Sequence, residues 1–295
     1  MSATALANHE ANCAISPADI RTYQRDGAVH LKSVLRGDLL AQLAQGLEEL
    51  HTRPGSAITR VTDAHGAGGT LVGQNASWSH PSLIGLVEQG DLARIAAQLM
   101  QVRSAQLILD QVFYKEAGRI VPTPWHQDTP FLCVRGMDMA RVWVSCDPSP
   151  RQVTLQVVRG SHRWNVIYDT RSDAAADVAM ADEDSDFTYA GISDERLPPS
   201  PDIERYRDSF DILSWDVEAG DAIVFQGNVL HGAPGLDHHP LPRRAFATMW
   251  GGPDLRYHQS PGATMPTPQS SSGGALRHGA RIGEYPEVFP VFWRV

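Results

Sequence analysis

Apolar residues recur at helical spacing mainly in the first third of the chain. Ser16-Pro17-Ala18-Asp19 opens the first such stretch, with Ser16 as N-cap, Pro17 in the first turn and Asp19 at the third helical position. This helix is expected to run to Asp26 and stop at Gly27, before a short strand, Ala28-Val29-His30-Leu31. Leu39, Leu40, Leu43, Leu47 and Leu50 give residues 37–51 one apolar face. A Gly-rich loop follows at 66–69, then a further helical stretch from about Pro81 to Met100. From about residue 105 the period changes to two. Leu107, Leu109, Gln111, Phe113 and Lys115 fall on one face of a strand, with Ile108, Asp110, Val112 and Tyr114 on the other. Residues 141–146, 153–158, 222–226 and 244–250 also read as strands.

The pattern predicts a mainly β protein with flanking helices in one domain. Residues 1–15 form a flexible tail, 16–104 a mainly helical part, 105–250 the β core and 251–295 an irregular end. Residues 165–215 interrupt the strands with an acidic stretch (DEDSD at 182–186) that is either a solvated insertion or a lid.

Composition narrows the function. The 25 Gly and 20 Pro suit many turns between short strands, and the net charge of −9 with no basic stripe argues against nucleic acid. Three widely spaced cysteines show neither a zinc spacing nor a disulfide framework, which points to a reducing compartment. No apolar run is long enough to span a membrane and the N-terminus lacks signal-peptide blocks, so the expected location is the cytoplasm.

The segment richest in chemistry is Pro124-Trp125-His126-Gln127-Asp128. Two residues apart on a strand, His126 and Asp128 are expected to face one ion together while Gln127 points away. They supply two members of a two-histidine, one-carboxylate facial triad, which leaves coordination positions open on ferrous iron. Alone, His-x-Asp arises by chance in many chains. A third ligand is offered by His231, just beyond the 222–226 strand, and Arg243-Arg244-Ala245-Phe246-Ala247 follows twelve residues later. Alternation puts Arg243 with Ala245 and Ala247, where a guanidinium can receive a carboxylate and the alanines leave space. For an isolated arginine, a surface ion pair is the plainer reading. The other histidines lack partner spacing and are left out of the site.

These pieces together resemble the phytanoyl-CoA dioxygenase family of iron(II)- and 2-oxoglutarate-dependent oxygenases. The resemblance rests on Asp110-Gln111-Val112-Phe113-Tyr114-Lys115, Trp125-His126-Gln127-Asp128, Arg141-Val142-Trp143, Gly160-Ser161-His162, Gly220-Asp221, His231-Gly232 and Arg243. It implies a double-stranded β-helix (a jelly-roll, cupin-like barrel) with helices outside. It also implies iron on His126, Asp128 and His231, the distal carboxylate of 2-oxoglutarate on Arg243, and Gln111 and Trp143 lining the same pocket. The chain departs from the family pattern at Ala233, where a serine often assists the carboxylate, and at Gln152-Val153 and Arg159.

The activity implied is oxidation of an unactivated C–H bond with 2-oxoglutarate and O2, releasing succinate and CO2. Hydroxylation is the expected outcome, because Asp128 leaves no ligand position for a halide. Desaturation, epoxidation, ring closure and peroxide formation use the same ligands. A zinc-dependent hydrolase or a jelly-roll binding protein with an inactive metal site are the alternatives. The expected substrate is a small, largely apolar metabolite from secondary metabolism, gated by Thr129-Pro130-Phe131-Leu132, the 165–215 insertion and Trp250. No feature of the pattern bears on oligomeric state.

Overall fold

The computed structural model describes residues 13–55, 57–63, 66, 68–169, 178–180, 197–258 and 276–295. Four helices precede the main strands: α1 (Pro17–Asp26), α2 (Gly37–Thr52), α3 (Pro81–Gln89) and α4 (Leu92–Met100). In α1 the Ser16 hydroxyl accepts from the Asp19 backbone N–H, and the Asp19 carboxylate accepts from Ser16 N at 2.8 Å. Gly27 closes that helix with φ of 80°, in the left-handed region. The single helix expected at 81–100 is instead two. The chain turns at Gly90 and Asp91, where Asp91 has φ of 57° and a Cβ on residue 90 would stand 2.4 Å from Leu86 O.

The strands are β1 (Ala28–Leu31), β2 (Ile58–Asp63), β3 (Thr70–Gln74), β4 (Ser104–Lys115), β5 (Gly118–Ile120) and β6 (Thr123–His126). They continue with β7 (Val134–Arg135), β8 (Met139–Ser145), β9 (Gln156–Val158), β10 (Val178–Met180), β11 (Ile212–Ser214) and β12 (Ala222–Phe225). The last are β13 (His231–Ala233), β14 (Leu236–His239), β15 (Arg243–Gly251), β16 (Arg256–Tyr257) and β17 (Val291–Arg294). A large antiparallel sheet runs β1-β12-β8-β15-β4-β3-β2-β10, with β17 also paired to β4. A smaller one runs β11-β9-β13-β6. This is the jelly-roll core anticipated from the sequence, a mainly β fold with helices outside it.

Alternation along the central strands separates two environments. Val142 and Val144 of β8, Phe246 of β15 and Val112 of β4 join the core that contains Leu43, Leu47, Leu83, Ile95 and Leu99 of the helices. The intervening Trp143, Ala245 and Ala247 belong to a separate inner cluster with Leu155, Val157, Ile223 and Phe225. A third cluster joins Leu109, Met139 and Met249 to Leu255, Ile282, Val288 and Phe289 of the C-terminal part.

Several expectations are corrected. The 16–104 part, with four helices, also holds strands that were not expected, since β2 and β3 flank the Gly-rich stretch and extend the large sheet. The 153–158 strand is confined to 156–158, since Thr154 is tied into a turn by hydrogen bonds to Ser149 O and Pro150 O. The end of the chain is not wholly irregular, because β17 pairs with the start of β4. The 165–215 stretch is not simply a solvated loop, since β11 joins the small sheet and β10 pairs with β2. Its residues 170–177 and 181–196, including the DEDSD run, lie outside the described residues, as do residues 1–12 of the expected tail. No helix among the described residues is long and apolar enough to cross a membrane.

Candidate metal centre

The small sheet brings two histidines face to face. His126 ends β6, His231 opens β13, and the two are register partners. Their backbones approach closely at Gly232, where a Cβ would stand 2.9 Å from Thr123 O. His126 Nδ1 lies 2.7 Å from Pro124 O, and His231 Nδ1 lies 3.1 Å from Val229 O. A carbonyl oxygen only accepts, so each Nδ1 carries the proton and each Nε2 is left with a free lone pair.

Asp128 reaches the same point by a route that differs from strand alternation. β6 ends at His126, and Asp128 has helical φ and ψ (−72°, −33°) at the start of a short 3-10 turn over Thr129–Phe131. The turn is pinned because the N–H groups of Asp128 and Thr129 both donate to Gly227 O, at 3.0 and 3.1 Å. Gln127 does point away, as expected. Its amide donates to Val166 O and Asn228 O, and its oxygen accepts from Tyr168 N. Asp128 Oδ1 lies 3.7 Å from the Nε2 of each histidine, and one donor atom from each of the three residues falls within 4.8 Å of the others.

The electrostatics suit a cation. Burial pushes the His231 imidazole down to about 3, with His126 adding to the effect, and burial lowers His126 as well. Both rings are therefore neutral at neutral pH, the form that binds metal. Burial alone would raise the Asp128 carboxyl. The Arg141 guanidinium, first among the charges that outweigh it, holds the group below its ordinary range, so the carboxylate is ionised. Arg141 Nη1 donates to Asp128 Oδ1 at 3.0 Å, whereas the buried Oδ2 has no hydrogen-bond partner. A buried carboxylate oxygen without a partner, beside two imidazole lone pairs, fits a divalent ion of the borderline kind that takes nitrogen and oxygen together.

The triad opens into a cavity of about 150 Å³ between the sheets, lined also by Gln111, Trp143 and Arg243. Arg243 is 7% exposed, and its Nε and Nη1 have no hydrogen-bond partner. Burial pushes it down to about 10, still charged at neutral pH. Arg244, one residue on, is engaged elsewhere. Its N–H groups donate to Asp147 at 2.6 and 3.0 Å, and Glu48 lies 3.7 Å away. Two further groups line the cavity that were named in motifs without a role of their own, Lys115 and Arg141. Lys115 is the register partner of Arg243, and its ammonium donates to Val121 O and Thr123 Oγ1. Arg141 also donates to Gln111 Oε1. Alternation could have found both, since Lys115 shares a face with Gln111 and Arg141 shares one with Trp143.

Of the expected gate residues, Phe131 and Leu132 line the cavity. Trp250 does not: it is fully buried in the core beneath the helices, its indole N–H donating to Thr248 Oγ1. Among the histidines set aside, His30 pairs with Asp221, His51 with Glu116 and His80 with Glu49.

Comparison with known proteins decides the family. The phytanoyl-CoA dioxygenase (PhyH) model matches residues 23–236, most of the chain. The chain belongs to the phytanoyl-CoA dioxygenase family. The match takes in His126, Asp128 and His231 and ends before Arg243, so the place of that arginine is given by the strand register alone. No curated protein matches in sequence. Solved structures do match in fold. The non-heme alpha ketoglutarate dependent epimerase SnoN from nogalamycin biosynthesis has a TM-score of 0.69 at 17% identity, over 94% of this chain and 98% of that one. The carbocyclase SnoK from the same biosynthesis has a TM-score of 0.63 at 20% identity, over 94% and 96%. EctD from S. alaskensis, solved with 2-oxoglutarate and 5-hydroxyectoine, has a TM-score of 0.63 at 18% identity, over 95% and 90%. At these identities the likeness to the three is one of fold.

Proposed function

We propose that this PhyH-family protein is an iron(II)- and 2-oxoglutarate-dependent dioxygenase that hydroxylates a small, largely apolar metabolite. The observation that carries the reading is the meeting, in one cavity, of the His126–Asp128–His231 triad with a buried arginine whose Nε and Nη1 lack partners. Iron, 2-oxoglutarate and O2 together supply a two-electron oxidation of an unactivated C–H bond, with succinate and CO2 as co-products. The protein contributes orientation and exclusion of water. His126 and His231 present Nε2, fixed by the backbone carbonyls that hold each Nδ1–H. Asp128 presents its carboxylate, oriented by the hydrogen bond that Oδ1 accepts from Arg141.

Arg243 receives the distal carboxylate of the cosubstrate, since a guanidinium offers two parallel donors to such a group. Lys115, opposite it in the sheet, reinforces that end, and Trp143 with Gln111 forms the wall. Ala233 and Ala245 keep the passage open.

Printed names of structural relatives include an epimerase and a carbocyclase, so product analysis is part of the test. Succinate release by the purified protein that requires added Fe(II), 2-oxoglutarate and O2 supports the reading. A product one oxygen atom heavier by mass spectrometry supports hydroxylation, a product of unchanged mass an epimerisation, and loss of two hydrogens a desaturation or ring closure. Substrate cleavage supported by Zn(II) with no succinate returns the hydrolase reading.

A further inference from the structure

The cavity's charges are uneven. Among the described residues lining it, Asp128 is the one carboxylate, against Lys115, Arg141, Arg243 and Arg244. Arg244 has its counter-charge in Asp147. Lys115 stands opposite Arg243 and belongs with it to the cosubstrate's end, its ammonium donating to Val121 O and Thr123 Oγ1. Of Arg141 and Arg243, 5% and 7% exposed, Arg141 is the one in contact with Asp128, at 3.0 Å. On the reading proposed above, on which this inference rests, the divalent ion and the dianionic cosubstrate cancel, and Asp128 offsets one guanidinium. One buried guanidinium charge remains. An uncompensated charge in a low-dielectric cavity is strongly disfavoured, so a counter-ion is drawn to it.

With the distal carboxylate of the cosubstrate on Arg243, and Asp128 and the other carboxylate facing the ion, the guanidinium left over is Arg141. Arg243 stands opposite Lys115, at one end of the row of inward residues on β15. Arg141 stands opposite Met249, six residues further along that strand, and its guanidinium reaches back over the Phe113 ring to Asp128 and Gln111. It therefore lies beside the metal carboxylate, while Arg243 and Lys115 lie where β15 begins. The Arg243 end is where a short diacid can be anchored. At the Arg141 end the lining is Leu109, Phe131 and Leu132, with Gln111 the polar neighbour. Apolar walls around one unbalanced cation describe a site for an apolar body bearing a single anionic group. The net charge of −9 for the whole chain conceals this, because among the described residues Asp128 is the one acidic side chain in the lining.

We propose that the substrate is a small, largely apolar monoanion whose carboxylate is received by Arg141 and Gln111. A polyanion has no second free cation to meet at that end, and a cationic substrate would add to the imbalance.

The test uses matched pairs of probes that differ only in charge: 3-phenylpropanoate against 3-phenylpropanamide, and hexanoate against hexanamide. Each is titrated calorimetrically into the full chain loaded with Fe(II) and saturating 2-oxoglutarate, without O2. In the wild type the acid of at least one pair is expected to bind about tenfold or more tightly than its amide, the size of a charge-assisted hydrogen bond. The preference should vanish in Arg141→Met and survive in part in Arg141→Lys, which keeps the charge. Equal binding of acid and amide, or no binding by any acid, overturns the proposal in the wild type alone. So does an acid preference that persists in folded Arg141→Met, or displacement of 2-oxoglutarate by the acids, which would put them at Arg243. Failure of the wild type to take up Fe(II) and 2-oxoglutarate before any probe is added contradicts the parent reading instead.

Discussion

Arg243 and Arg244 are adjacent in the chain and opposite in circumstance, because one residue's step on a strand moves a side chain to the other face. Arg244 is paired with Asp147 and Glu48, whereas Arg243 is buried with Nε and Nη1 unpartnered. Arg243→Lys is therefore expected to weaken 2-oxoglutarate binding by roughly tenfold to a hundredfold, since lysine cannot copy a two-donor contact worth about 1.5–3 kcal/mol. Arg244→Lys should leave that affinity within about threefold of wild type. Titration of 2-oxoglutarate into both variants decides between them, and a large effect at Arg244 with none at Arg243 would contradict the assignment. The alternating faces made this difference legible from sequence. The same rule misdescribed Asp128, which reaches the centre through a turn held by Gly227 O and not along a strand. It could have put Arg141 in the cavity through the face it shares with Trp143, but the contact of its guanidinium with the metal carboxylate, 13 positions back, comes from the fold.

At the scale of elements, the strongly periodic segments were readable and the short ones were not. α1 and α2 carry a capping box or a full leucine face, and their ends fall where expected. β2, β3 and β17 are strands of four to six residues; β2 and β3 form a hairpin that joins the sheet through β4, and β17 pairs with β4 from the far end of the chain. No local periodicity announces such elements. The C-terminal part is a case with consequences for stability. Phe289 is fully buried among Ile108, Leu109, Met139 and Met249, though its own neighbourhood in sequence is rich in turn residues. Phe289→Ala should cost about 3–5 kcal/mol in urea unfolding, as for other large aromatic truncations in cores. A loss below about 1 kcal/mol would mean that the end of the chain is not part of the core.

For the molecule as a whole, the two sheets enclose a polar centre that is costly to the folded state when no metal is bound. His231 stays neutral in the folded chain down to about 3, while an unfolded histidine takes up a proton near 6.5. Between those values the unfolded state binds more protons, so stability falls as pH is lowered below about 6.5. Asp128 acts in the same direction lower down. Its depressed value contributes stability that is present above about 3.9 and lost as pH falls through the folded value. Denaturant midpoints of metal-free protein should therefore drop between about pH 7 and about pH 5, and drop less in His231→Leu, which has no proton to bind. An equal drop in both would remove His231 from the explanation.

The central claim is that one ferrous ion is held by His126, Asp128 and His231 and that the cosubstrate binds only with it. Anaerobic equilibrium titration of Fe(II), then of 2-oxoglutarate, into wild type and His231→Ala tests it most directly. The account predicts one ion per wild-type chain with 2-oxoglutarate binding that depends on it, and severe loss of both in a folded His231→Ala chain. Full iron occupancy in that folded variant would contradict it.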